Sequence, residues 1–243
     1  MTARMLVDAG NTRVKWVVVD GTGWSEPGFA HYSDLTDLAA SLRPDMVVHL
    51  ASVASEMQRA CLDACLNTLP LAVHEITTGL SFADLENGYD QPGQLGVDRW
   101  MALVGARART VSAVLVVSAG TALTVDALSA SGRFLGGLIL PGRELMRRAL
   151  LTGTARVNAA PGHKRDFPTN TLDAVESGIM EAMAGAIRSQ RDRLASVSGR
   201  MPGCYLTGGD AVTLMAHLDG PVEHLPTLVL EGIDRVARGG WAG

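Results

Sequence analysis

The residues best suited to chemistry stand near the start of the chain, in Met5-Leu-Val-Asp-Ala-Gly-Asn-Thr-Arg-Val-Lys15 and its continuation Trp16-Val-Val-Val-Asp20. Two runs of β-type residues flank Gly10-Asn11, the short-range signature of a tight hairpin. Asp8 closes the first run, the Gly10 and Asn11 amides can face a common point, and Thr12 and Lys15 follow within reach. Turn N–H groups can contact phosphate oxygens, a carboxylate can hold a divalent cation or its waters, and a lysine adds positive charge. A nucleoside triphosphate with Mg²⁺ needs this set. A surface hairpin with a polar tip would use the same residues, and one hairpin does not separate the two.

The pattern returns in the second half of the chain. Val114-Leu-Val-Val-Ser-Ala-Gly-Thr-Ala-Leu-Thr-Val-Asp126 repeats an apolar strand, a small polar turn and a second strand, with Ser118-Ala119-Gly120-Thr121 in line with Asp8-Ala9-Gly10-Asn11. Two such units, one opening each half, imply a duplicated fold with a nucleotide between the halves. A third group stands between them. Glu86-Asn-Gly-Tyr-Asp-Gln-Pro-Gly-Gln-Leu-Gly96 is rich in turn formers and leads into Val97-Asp98-Arg99-Trp100, which opens a helix reaching about Thr110. Asp98 in a helix first turn is favoured as a carboxylate by the dipole, whereas Arg99 there works against it and asks for another reason. Regular patterning is absent from Thr77 to Gly96, and long irregular segments inside compact domains are usually functional or disordered.

These residues need elements to hold them. The first hairpin and a strand over 23–30 begin a sheet; a helix over 35–42, a buried strand over 46–51, a helix capped by Ser52 or Ser55 and a strand over 71–76 complete it. The order gives a mixed sheet that becomes parallel where helices serve as crossovers. His49 in the buried strand reads as a core histidine with a hydrogen-bonded ring. In the second half, Arg133 to Gly142 forms a third strand with a double glycine, followed by a helix over 143–151. After a polar loop over 155–169, Thr171 or Asn170 caps a long helix to about Leu194, with Glu176 and Glu181 on its surface. Met201 to Thr207 leads by a strand into Gly208-Gly209-Asp210, and a helix over 225–238 precedes a short disordered tail. The division expected is 1–112 and 113–243.

Bulk composition excludes several classes. With 243 residues, 47% hydrophobic and 19% charged, the chain can bury a real core and is not disordered. A net charge of −4 recommends neither nucleic acid nor an anionic membrane, and no apolar run reaches spanning length or forms a secretory signal. Cys61, Cys65 and Cys204 are too scattered for a disulfide framework, and Cys61 and Cys65 lack a nearby His for zinc, so a cytoplasmic location is expected. A serine nucleophile at Ser118 fails because Val116 stands where the elbow needs glycine.

On these residues the chain resembles the type III pantothenate kinases, within the superfamily of acetate and sugar kinases, Hsp70 and actin. Asp8 to Lys15 is similar to that family's first phosphate motif, Tyr89 with Gly96-Val97-Asp98-Arg99 to its substrate motif, and Gly120-Thr121-Ala122 to its second phosphate motif. Gly136-Gly137 with Pro141-Gly142 resembles the strand and turn that follow, Thr207-Gly-Gly-Asp210 the adenosine side, and Asn170-Thr171 a segment reaching the partner subunit. The resemblance implies an α/β fold of two ribonuclease H-like lobes, each a mixed sheet flanked by helices. It further implies a homodimer that phosphorylates pantothenate with ATP and Mg²⁺, the first step of coenzyme A synthesis.

By the same resemblance ATP is held by Asp8, Ala9, Gly10, Asn11, Thr12, Arg13, Val14, Lys15, Gly120 and Thr121, with Asp8 on hydrated Mg²⁺. Asp98 orients the acceptor hydroxyl and takes its proton. Tyr89, Gly96, Val97 and Arg99, with Thr171 of the other subunit, bind pantothenate. One position departs: Ser118 stands where the family commonly has an Asp that helps bind a monovalent cation. A reduced need for K⁺ or NH₄⁺ is therefore expected, in preference to rescue by Asp126 at the far end of the next strand. The competing expectations are another phosphotransferase or phosphate hydrolase of the superfamily, an exopolyphosphatase among them, and a non-catalytic regulator that kept the fold.

Overall fold

The computed structural model describes residues 3–153 and 160–239. Residues 155–159 of the expected loop and the expected tail after 239 lie outside the described residues. The chain divides into two compact units, 1–109 with 227–243 and 110–226.

The first unit opens with β1 (Arg4–Ala9) and β2 (Arg13–Asp20), antiparallel, with Asp8 directly opposite Lys15. The strand expected over 23–30 is two short pieces, β3 (Gly23–Trp24) and β4 (Gly28–His31), both paired with β2 and separated by Pro27, which has no N–H for the ladder. After α1 (Thr36–Ser41), β5 (Val47–Ser52) joins β1 in parallel; α2 (Glu56–Leu66) then crosses over to β6 (Ala72–Ile76), parallel to β5. Ser55 caps α2 in a capping box with Gln58. The sheet order is β3-β2-β1-β5-β6. Period-two alternation sends Met5, Val7, Val14, Trp16, Val48 and Leu50 into one core with Leu38 and Leu62 of the two helices. Asp8, Lys15 and His49 stand on the opposite face.

Among the described residues the His49 ring has no hydrogen-bond partner, contrary to expectation. It stacks on His74 of the neighbouring strand at 5.4 Å between centroids. Burial first, then the positive charge of His74 and Arg4, lowers its pKa to about 4. The segment expected to be irregular contains a small hairpin, β7 (Ser81–Phe82) with β8 (Leu85–Glu86), before α3 (Val97–Arg109).

The second unit repeats the plan. β9 (Val114–Ala119), β10 (Ala122–Leu128) and β11 (Phe134–Pro141) form an antiparallel meander. Helices α4 (Arg143–Gly153) and α5 (Thr171–Ser198) follow, the latter capped by the Asn170 side chain on the Asp173 amide. β12 (Gly203–Thr207) joins β9 in parallel, and after α6 (Ala211–Met215) a strand not expected from the sequence, β13 (Val222–His224), joins β12. The order β11-β10-β9-β12-β13 matches the first sheet in sense and sequence. Two mixed sheets of one topology, each flanked by helices, are the duplicated ribonuclease H-like plan. Along α5 the Arg191 guanidinium is buried and donates to the carbonyls of Pro202, Asp219 and Pro221, tying the helix to the entries of β12 and β13.

The last helix, α7 (Leu228–Gly239), returns to the first unit, whereas the sequence division had assigned it to the second. Its apolar face demands a partner, and glycines supply the fit. A Cβ at Gly105 would strike the Leu228 carbonyl, and one at Gly232 the Met101 carbonyl, so α3 and α7 touch backbone to backbone. Arg109 clasps Glu231 with two bonds of 2.6 and 2.9 Å, and Arg4 meets Asp234 at 2.9 Å. Thus α7 braces both the strand that carries Asp8 and the helix that carries Asp98.

Candidate active site

Asp8 ends β1 with 9% of its surface exposed, and Lys15 faces it across the hairpin. Burial raises its pKa to about 6; Lys15 opposes the rise and the charge of Asp98 adds to it. Asp8, Lys15 and Asp98 therefore form one electrostatic group inside the first unit. A buried carboxylate whose ionisation is under-compensated is suited to meeting a cation. Among the described residues no three His, Cys, Asp or Glu side chains form a preformed metal cage. The buried Asp8 carboxylate is the kind of single donor that a hard divalent cation takes when waters and substrate phosphates complete its shell.

Asp98 lies in the first turn of α3, where one carboxylate oxygen accepts from the Arg99 amide at 2.8 Å. Burial raises its pKa, ahead of the lowering by that bond and by the Arg99 charge. The sequence expectation of an Asp kept acidic by the helix dipole is corrected here: desolvation outweighs the helix start. A Cβ at Gly96 would sit 2.6 Å from an Asp98 carboxylate oxygen, so a side chain there would displace that carboxylate. Arg99 is buried, donates to the Tyr89 hydroxyl at 2.8 Å and carries its guanidinium carbon 5.6 Å from the centre of the Tyr89 ring. The structure thus brings Tyr89, Gly96, Val97, Asp98 and Arg99 together. Asn87, which sequence reasoning passed over, organises the loop: its buried amide donates to the Gly79 and Pro92 carbonyls and accepts from the Tyr89 N–H.

In the second unit Gly120 and Thr121 form the turn between β9 and β10, one residue shorter than the turn between Ala9 and Val14. Two neighbouring junctions close on it. The Gly142 amide donates to the Thr121 carbonyl at 2.9 Å and the Asp210 amide to the Ala119 carbonyl at 3.0 Å. A Cβ on Gly142 would strike the Gly120 carbonyl, and one on Gly208, at φ +101°, the Ala119 carbonyl. Ser118 pairs with Thr124 and with Thr207 across the sheet. Asp126 is two residues beyond Thr124, on the same face as Ser118 and two residue pairs away, and is 1% exposed. It stands in the half of β10 away from the turn.

Glu176 is not on the surface as expected. It is 5% exposed and receives Arg143 at 2.7 Å, a bond that raises the Arg143 pKa; Glu181 is exposed. Arg143, Glu144, Arg147, Glu176 and Asp210 line a polar pocket of about 200 Å³ beside the Gly208-Gly209 junction. Thr171, first residue of α5, lines a larger apolar groove of about 890 Å³ with Pro141, Met146, Leu150 and Val175.

The sequence profile of the type III pantothenate kinases matches residues 4–193. The chain belongs to the type III pantothenate kinase family. A type III pantothenate kinase of Thiobacillus denitrificans is 50% identical over 99% of this chain and 98% of its own, and one of Chromobacterium violaceum is 43% identical over 96% and 99%. Among solved structures, a Campylobacter jejuni protein titled a Baf family transcriptional activator aligns with TM-score 0.62 at 20% identity, covering 97% of this chain and 98% of its own. A Sinorhizobium meliloti protein titled a 2-dehydro-3-deoxygalactonokinase aligns with TM-score 0.60 at 14% identity over 99% and 100%. These two likenesses show the fold alone.

Proposed function

We propose that this protein transfers the γ-phosphoryl group of ATP to the primary hydroxyl of pantothenate, giving 4'-phosphopantothenate and ADP in the first step of coenzyme A synthesis. The supporting observation is the grouping, in one unit, of an Asp98 carboxylate with raised pKa, the buried Arg99 held by Tyr89, and the Asp8–Lys15 pair. In the transfer the hydroxyl oxygen bonds to phosphorus as the bond to the ADP oxygen breaks, and Asp98 takes the hydroxyl proton. The transition state is loose, so placement and charge compensation supply most of the rate. A carboxyl lifted by burial is a better acceptor for that proton than an exposed one.

Residues Asp8 to Lys15, Gly120 and Thr121 bind the ATP phosphates, and Asp8 holds the waters of Mg²⁺, which when bound neutralises phosphate charge. Arg99 receives the pantothenate carboxylate, and Tyr89 with Gly96 and Val97 lines the pocket for its chain. The apolar groove under Thr171 seats a second copy, so that Thr171 completes the partner's site in a homodimer. Cytoplasmic residence fits three free cysteines. With Ser118 in place of a charged ligand, the need for K⁺ or NH₄⁺ is reduced. The test is purified protein with ATP, Mg²⁺ and a panel of acceptor alcohols, scored by ADP release. ADP release that is no faster with pantothenate than without it would overturn the assignment.

A further inference from the structure

A loop that binds phosphate must turn its N–H groups outward and keep its carbonyl oxygens away, because a carbonyl facing phosphate repels it. In the turn after β1 every carbonyl from residue 10 to residue 13 faces a protein group. The Tyr32 hydroxyl donates to the Gly10 carbonyl at 2.6 Å. The Gln58 side-chain nitrogen donates to the Asn11 carbonyl at 2.6 Å. His31 Nδ1 lies 3.3 Å from the Thr12 carbonyl, and the Gly10 amide spans the turn to the Arg13 carbonyl at 3.2 Å. The Gly10 N–H is therefore consumed within the turn, contrary to its expected role as an outward donor. The Asn11 N–H, by contrast, has no acceptor among the described residues, and Asn11 is exposed.

Gln58 is placed for this by its own helix. Its Oε1 accepts the Ser55 N–H at 2.9 Å in the capping box of α2, which fixes the amide orientation and leaves Nε2 for Asn11. Tyr32 follows the strand β4 that lies beside β2. Its phenol is half-buried, and burial together with the Asp8 charge pushes its pKa up to about 12, so it remains a donor.

We propose that Tyr32 and Gln58 are positioning residues for phosphate: by holding the Gly10 and Asn11 carbonyls inward, they fix the turn with the Asn11 N–H aimed at the nucleotide. The proposal rests on reading this turn as the ATP phosphate site. Two variants separate it from simple stability. Tyr32→Phe removes one donor and little else. Gln58→Glu keeps the acceptor that caps α2, and adds charge that a helix start favours, but replaces the donor to Asn11 with a carboxylate oxygen.

ADP and adenosine affinities are measured by calorimetry on the full-length protein with Mg²⁺. Each variant should weaken ADP by about three- to tenfold, the worth of one hydrogen bond, while adenosine stays within about twofold. The KM for pantothenate and the Gln58→Glu melting temperature should stay at wild-type values. Weakening of ADP and adenosine together, or of neither, overturns the proposal. If wild-type protein fails to phosphorylate pantothenate yet shows this ADP pattern, the proposed activity falls and the positioning role stands. If it phosphorylates pantothenate while both variants bind ADP normally, the reverse holds.

Discussion

Replacing Asp8 by asparagine should make the protein more stable at neutral pH while abolishing its activity. The carboxyl is buried against one lysine and near a second carboxylate, and its pKa stands at about 6 where an unperturbed Asp has 3.8. A raised folded-state value means that the native protein holds the proton more tightly than the unfolded chain does. Stability from this group is thus complete below about pH 4 and is lost as pH rises through 6. Above pH 6 the charged form costs about 3 kcal/mol, taking 1.36 kcal/mol per pH unit over that interval. Asparagine is nearly isosteric and carries no charge, but its amide must find partners, so the net gain expected at pH 8 is about 1–3 kcal/mol. For a chain of this size that corresponds to roughly 2–10 °C in melting temperature. Thermal or urea unfolding of both proteins between pH 4 and 8 measures it. The advantage of Asp8→Asn should grow from near zero at pH 4 to its full value by about pH 7. A variant less stable at pH 8, or a difference that does not change with pH, would refute the electrostatic account.

Other outcomes follow from the same site. Asp98→Asn should lower kcat about a hundredfold or more while the ADP dissociation constant, read by calorimetry, stays near wild type; near-normal turnover would remove Asp98 from proton transfer. Asp98→Asn and Thr171→Arg protomers, each inactive alone, should regain activity when mixed, because a two-fold interface leaves one intact site per heterodimer. A fully active monomer seen by light scattering would contradict this. Activity against added KCl, with sodium chloride holding ionic strength constant, should be flat, and Ser118→Asp should make it saturable in K⁺. A steep rise in the wild type would show that another ligand, Asp126 being nearest by register, serves the ion.

The fold was legible because its signals are local and repeated. Both hairpins carry β-rich flanks around a Gly-containing turn, and α2 follows a serine cap that the sequence places at Ser52 or Ser55 and the structure at Ser55. What escaped the sequence needed partners remote along the chain. The brace formed by α7 depends on Gly105 and Gly232 meeting carbonyls more than a hundred residues away, so proximity along the chain assigned it to the wrong half. Glu176 carries the same charge as its neighbour Glu181, and only the arrival of Arg143 makes its burial affordable. The candidate site residues were singled out by type, spacing and resemblance, but the direction in which folding shifts the Asp8 and Asp98 carboxyls was not legible. The helix start that should favour an acidic Asp98 is local, whereas the burial that overrides it comes from the folded unit.

The two turns show how a duplicated element can keep a task while changing its supports. In the second unit the Ala119, Thr121 and Ala122 carbonyls are taken by backbone amides of Asp210, Gly142 and Gly120. Glycines at 142 and 208 let those neighbouring chains approach. The first turn shares two of these supports, the Val53 amide on the Ala9 carbonyl and the Gly10 amide on the Arg13 carbonyl, but its Gly10, Asn11 and Thr12 carbonyls are met by the side chains of Tyr32, Gln58 and His31. Backbone donors constrain sequence through missing side chains, so Gly142 and Gly208 could be suspected from glycine alone. Side-chain donors leave no comparable signature, since Tyr, Gln and His are ordinary at a strand end and a helix start. A Cβ at Gly142 should therefore damage the second turn through its backbone, which no side-chain rotation can relieve, whereas the first turn fails only by loss of a hydrogen bond.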